Sequence, residues 1–194
     1  MTKFLEIFDN NLSPYFCRHV IKRFEKDERS CPGRTAMGLN TGVKDSQDLL
    51  ISNHLDWKKE DSTFFEKLSP VLDEYYMKHF IDPISTISRS NWREKTNLTD
   101  KGYQIQRTTP DQTGFVYHHD GSAEDSFRRI ITYLWYLNDI PEDGGGTTEF
   151  YDGTIVQPKE GRLILFPANW TAMHKGNPPK KINKYIVTGW VYTN

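Results

Sequence analysis

Arg129-Ile130-Ile131-Thr132-Tyr133-Leu134-Trp135-Tyr136-Leu137 is a run rich in β-branched and aromatic residues with no glycine or proline, the composition of a strand. Shorter runs of the same kind surround it: Tyr103 to Arg107, Phe115 to His118, Arg162 to Phe166 and Lys184 to Tyr192, separated by Gly, Pro and Asp. Several short strands at such spacing predict a sandwich or jelly roll over residues 101–194.

The first hundred residues have a different texture. Leu5 to Phe8 reads as a short strand, and Ser13-Pro14 supplies an N-cap with proline at the first helical position. In the helix that follows, Phe16, Val20, Ile21 and Phe24 recur three to four residues apart, leaving Arg18, Lys22, Arg23 and Lys26 to water. A second helix is predicted from about Ser62 to Phe80, with Phe65, Leu68, Leu72, Tyr75 and Tyr76 on its inner face. Between them, from Asp27 to about Asp56, no period is sustained, which marks a long irregular segment. With no repeat or linker, the expectation is one domain over residues 1–194, mainly β with supporting helices (α+β).

Composition excludes several classes. The 25 lysines and arginines against 26 aspartates and glutamates, interspersed and with a formal net charge of -1, give no broad attraction to nucleic acid or an anionic membrane. No stretch approaches the roughly 20 apolar residues that span a bilayer, and Met1-Thr2-Lys3-Phe4-Leu5-Glu6 lacks the apolar core of a secretion signal, so a soluble, cytoplasmic protein is expected. Cys17 and Cys31 are too few for a disulfide framework and read as free thiols.

The chemistry begins at Tyr117-His118-His119-Asp120-Gly121, where His118 and Asp120, two apart at a strand end, project to the same side and can grip one metal ion. His119 points away by the same alternation. Alone, the pair is also what an exposed hairpin corner looks like. A distant third ligand is available in His174, beyond the run Arg162-Leu163-Ile164-Leu165-Phe166-Pro167. Two histidines and one carboxylate form the facial triad of non-haem iron(II) enzymes, which leaves three positions open, whereas a structural zinc site is closed and favours cysteine. Lys184, ten residues after His174, is placed to meet the far carboxylate of a 2-oxo diacid, with Lys180 and Lys181 as rivals.

Together His118-x-Asp120, His174 and Lys184 resemble the iron and 2-oxoglutarate pattern of the prolyl 4-hydroxylase group of Fe(II)/2-oxoglutarate-dependent oxygenases. Arg129-x-x-Thr132-x-x-x-Tyr136-Leu137-Asn138, Gly145-Gly146-Thr147-Thr148-Glu149-Phe150, Gly161 to Pro167, Lys184 to Trp190 and the opening Phe8 to Ser13 are also similar to that family. The resemblance implies a double-stranded β-helix, with Tyr136 and Lys184 on the far carboxylate of 2-oxoglutarate and Thr148, Thr188 and Trp190 facing the co-substrate or iron. It departs where the family often has a tyrosine: the chain reads Arg107-Thr108-Thr109-Pro110, so that contact is lost, supplied by Thr108, or replaced by Tyr103.

The activity implied is hydroxylation of a C–H bond, first of all at C4 of a prolyl residue in a peptide or protein, with release of succinate and CO2. The cofactors implied are Fe(II), 2-oxoglutarate, O2 and ascorbate as reductant, and a monomer or homodimer is compatible. Trp170 or Trp190 offers a flat surface to a proline ring, and Arg34, Lys44, Ser46 and Asp48, with the region after Asp120, are substrate-loop candidates. The competing readings are the same chemistry on another side chain or a free small molecule, and a non-catalytic jelly-roll binding module.

Overall fold

The computed structural model describes residues 2–35, 37–80, 97–121, 123–124 and 127–193. In chain order the elements are β1 (Glu6–Phe8), α1 (Pro14–Phe24), β2 (Cys31–Pro32), β3 (Lys44–Asp45), β4 (Gln47–Leu50), α2 (Lys58–His79), β5 (Leu98–Asp100), β6 (Gln104–Thr108) and β7 (Gly114–His118). They continue with β8 (Ala123–Glu124), β9 (Phe127–Tyr136), β10 (Thr148–Phe150), β11 (Ile155–Val156), β12 (Leu163–Pro167), β13 (His174–Gly176) and β14 (Lys184–Thr193). The described strands pair into a major sheet, β1-β12-β9-β14-β6-β4-β2 with β5 on β14 and β8 on β9, and a minor sheet, β11-β10-β13-β7-β3. From β6 onward the chain passes repeatedly between the two antiparallel sheets, which is the jelly roll expected.

The pleat divides the major sheet into two chemistries. Tyr103 just before β6, Ile105 of β6, Ile131, Tyr133 and Trp135 of β9, and Tyr185, Val187 and Val191 of β14 join the core beneath the helices. The alternate positions, among them Thr108, Thr132 and Lys184, face a cavity between the sheets. Ser13 caps α1 as expected, its Oγ accepting from the Phe16 N–H at 3.2 Å, and Cys17, Val20 and Phe24 are buried.

The helix α2 begins at Lys58, earlier than expected, and its inner face carries Phe64, Leu68, Val71, Leu72, Tyr75 and Tyr76. Phe64 is fully buried and Phe65 is 49% exposed, so the neighbouring aromatic fills the core: its ring meets Tyr103 at 5.4 Å and Trp135 at 5.2 Å between centroids. Arg23 is not left to water either. Its guanidinium lies 4.3 Å from the Trp57 ring centroid and pairs with the buried Glu60 at 2.9 Å, tying α1 to α2. The segment Asp27 to Asp56 is not irregular throughout, since β2, β3 and β4 lie in it and join both sheets. Cys31 sits on β2, exposed, and Cys17 is buried, both as free thiols. Among the described residues no helix is long and apolar enough to cross a membrane.

Phe64→Ala should cost about 3–5 kcal/mol of unfolding free energy, whereas Phe65→Ala should cost less than about 1 kcal/mol. Urea denaturation of both variants checks this, and equal losses would contradict the packing described.

Candidate active site

The antiparallel pairing of β13 with β7 sets His174 directly opposite His118. Asp120 follows two residues after His118, and one ligand atom from each of the three side chains lies within 4.8 Å of the others. His118 Nε2 is 3.6 Å from Asp120 Oδ1 and His174 Nε2 is 3.7 Å from Asp120 Oδ2. Each imidazole is oriented from behind: His118 Nδ1 lies 2.8 Å from the Val116 carbonyl and His174 Nδ1 3.0 Å from the Ala172 carbonyl. A carbonyl only accepts, so each Nδ1 carries the proton and each Nε2 presents its lone pair to the shared space.

The Thr132 hydroxyl donates to Asp120 Oδ2 at 2.7 Å, fixing the carboxylate from the floor. Burial alone would raise the Asp120 carboxyl, but the neighbouring His118 and His174 imidazoles and the Thr132 hydroxyl hold it well below the usual range. Burial pushes His174 down, whereas Asp120 outweighs burial at His118 and pushes it up. The result is an anionic carboxylate between two convergent nitrogen donors, one of them held towards its neutral form, a donor set suited to a divalent cation. His119 also lines the cavity but lies outside the cluster, so the choice of His118 agrees with the geometry.

The cavity encloses about 530 Å³, and Thr108, Thr148, Lys184, Thr188 and Trp190 all reach its wall. Lys184 is 5% exposed, and its ammonium has no ion-pair or hydrogen-bond partner among the described residues. Burial lowers its pKa to about 7. Tyr136 stands behind the wall, fully buried, with its ring centroid 5.8 Å from Lys184 Nζ, and its hydroxyl donates to Thr148 Oγ1 at 2.7 Å. The Thr148 proton is thereby left for a group in the cavity. Thr188 donates to the Tyr133 carbonyl at 2.9 Å, binding the strands rather than a ligand.

Of the two replacements considered for the missing tyrosine, Thr108 lines the cavity beside Lys184, and Tyr103 lies on the opposite face of β6 in the helical core. Trp170 is 75% exposed and is not among the lining residues. Arg34 and Lys44 reach the wall, with Ser46 and Asp48 buried beside Lys44; part of the segment after Asp120 lies outside the described residues. Sequence reasoning passed over Arg129, whose guanidinium stacks 3.7 Å from the Trp190 ring centroid, together with Thr132 and Gln106. Period-two alternation along strands already identified was the signal that would have found the last two.

A jelly roll holding a His/Asp/His cluster and a buried lysine on the wall of one cavity fits a site for a metal ion and an anionic co-substrate. Residues 103–192 match the family model described as the 2OG-Fe(II) oxygenase superfamily, and the match supports an oxygenase that uses Fe(II) and 2-oxoglutarate. A search of curated proteins found no match. Among solved structures, the collagen prolyl hydroxylase of Paramecium Bursaria Chlorella virus-1, in complex with 2OG, is 23% identical with a TM-score of 0.68, covering 99% of this chain and 97% of that one. A Trichoplax adhaerens prolyl hydroxylase in complex with a hypoxia inducible factor peptide fragment is 20% identical with a TM-score of 0.73, covering 98% and 84%. A Pseudomonas putida prolyl-4-hydroxylase is 17% identical with a TM-score of 0.68, covering 96% and 91%. These likenesses establish a shared fold.

Thr132→Val, which keeps the shape and removes the hydrogen bond to Asp120, should weaken Mn(II) binding about tenfold. Titration followed by electron paramagnetic resonance measures it, and an unchanged affinity would show that the bond does not orient the ligand.

Proposed function

We propose that the protein hydroxylates a prolyl residue in a peptide or protein, consuming 2-oxoglutarate and O2 and releasing succinate and CO2. His118, Asp120 and His174 are assigned to Fe(II), and Lys184 with Thr148 to the 5-carboxylate of 2-oxoglutarate. The observation that carries the co-substrate assignment is the buried Lys184 ammonium without a partner. Such a group is costly unless a ligand brings the opposite charge, and a carboxylate there accepts from both Lys184 and Thr148. Tyr136 serves this end of the cavity through Thr148, since its own proton is spent on Thr148 Oγ1. Thr108, opposite Lys184 in register, stands where the resemblance expects a co-substrate contact.

Fe(II) bound there supplies the activation of O2 that C–H hydroxylation requires. The chain's own share is positioning and exclusion of bulk water. The carbonyls of Val116 and Ala172 fix the imidazoles, Thr132 fixes the carboxylate, and Ile186 and Leu134 give the cavity apolar wall between its polar ends. At the Trp190 end, Arg129 stacks on one face of the indole, and both side chains line the cavity with Asp120. The prolyl substrate is supported by the fold shared with the viral collagen enzyme and the peptide-bound Trichoplax enzyme.

Anaerobic titration with Fe(II) and then 2-oxoglutarate should produce the weak visible metal-to-ligand charge-transfer band only after both additions. His174→Ala should abolish the band, and Lys184→Ala should require far more 2-oxoglutarate. A folded wild-type protein without the band would refute the cofactor assignment.

The free lysine titrates near pH 7, and a bound carboxylate raises that value. Below about pH 7 Lys184 is already charged and binding takes up no proton there; above it each binding event must. The Kd for 2-oxoglutarate should therefore rise from about pH 7 upward, approaching tenfold per pH unit, until the bound-state pKa is reached. Lys184→Arg, permanently charged, should flatten that rise, and a wild-type Kd that stays level between pH 7 and 9 would contradict the assignment.

A further inference from the structure

Gln104, Gln106 and Thr108 alternate along β6 with residues turned to the helices, so all three reach the cavity wall. Gln104 is committed: its Nε2 donates to Asp48 Oδ2 at 2.7 Å, and the same carboxylate takes Lys44 Nζ at 2.6 Å and Ser46 Oγ at 2.8 Å. Gln106 is 4% exposed, yet its side-chain amide has no hydrogen-bond partner among the described residues. Its neighbours across the ladders are Ile186 on β14, whose side chain has nothing polar to offer, and Asp48 on β4, whose carboxylate takes the Gln104, Lys44 and Ser46 donors instead.

A primary amide carries two donors and a carbonyl acceptor, and those of Gln106 open on the cavity without a protein partner, free to meet a ligand there. The cavity therefore suits a ligand group that supplies an acceptor and a donor together. The carboxylates of 2-oxoglutarate supply acceptors only and would leave the Gln106 carbonyl facing negative charge. An extended peptide residue meets the need, because its N–H and C=O point to the same side, as in a hydrogen-bonded antiparallel pair. Proline lacks the N–H, so the residue in question flanks the target. We propose that Gln106 is a specificity-determining residue whose carboxamide clamps the main-chain N–H and C=O of a non-proline residue next to the hydroxylated one. This rests on the peptidyl-prolyl reading above.

The test compares wild type and Gln106→Leu, each loaded anaerobically with Fe(II) and 2-oxoglutarate. The probe is a fluorescein-labelled, blocked heptapeptide with one central proline among alanines, together with copies N-methylated at a single flanking residue, and binding is read by fluorescence anisotropy. Gln106→Leu should weaken the parent peptide about tenfold. One N-methylated peptide should lose a similar factor on wild type and nothing further on Gln106→Leu, the coupling expected of two groups in contact. The charge-transfer titration with 2-oxoglutarate should stay where wild type has it. Unchanged peptide binding by the variant, or losses that simply add, would overturn the clamp, and a displaced 2-oxoglutarate titration would reassign Gln106 to the co-substrate. If wild type forms the charge-transfer band and binds no proline peptide, the prolyl reading fails and the clamp with it.

Discussion

The alternation of the major sheet governs everything else in the molecule. Each strand must present successive residues to opposite faces, and β6, β9 and β14 use that obligation to separate stability from chemistry. On one face Tyr103, Tyr133 and Trp135 interlock with Phe64 of α2, ring against ring. On the other, Thr108, Thr132, Lys184 and Thr188 bring polar groups to the cavity wall. The aromatic layer makes this tolerable, because strands pinned from behind hold polar side chains without collapsing around them. Some of these groups are satisfied within the sheet, Thr188 on the Tyr133 carbonyl and Thr132 on Asp120. Those that are not, Lys184 and Gln106, point to where ligands belong.

Much of this arrangement was legible in the sequence, because long strands announce themselves. Phe127–Tyr136 and Lys184–Thr193 were recognised to within a few residues, and with them the two-sheet architecture. The spacing of His118 and Asp120 was readable for the same reason, since two residues along extended backbone return to one side. His174 could be named as a third ligand from the two-histidine, one-carboxylate set, but its place opposite His118 could not be read, because strand pairing across more than fifty residues brings it there. The choice of Phe65 over Phe64 failed because two adjacent aromatics both fit a loose helical period. The register is decided by the start of α2 at Lys58 and by Glu60, which is held by Arg23. The strands β2, β3 and β4 are two to four residues long, too short to show any period. They exist because neighbours offer them edges: β6 pairs with β4, β4 with β2, and β7 with β3.

The two ends of the cavity are coupled by charge. Asp120 is held anionic by its imidazole neighbours and Thr132, while burial drives Lys184 towards its neutral form when nothing opposes it. The free cavity therefore leans negative at the His118 end and uncharged at the Lys184 end. A divalent cation on the first and a dicarboxylate spanning both alter this together: the cation outweighs Asp120 by one charge, and the dianion returns the total to one negative charge, which a protonated Lys184 cancels. Under the proposed assignment the charges of Fe(II), Asp120, 2-oxoglutarate and Lys184 sum to zero, and each partially loaded state of this set leaves a net charge or an unpaired polar group. Low-dielectric surroundings penalise such intermediates more than the complete set. Metal and co-substrate should for that reason favour each other's binding without any movement of the strands that carry their ligands.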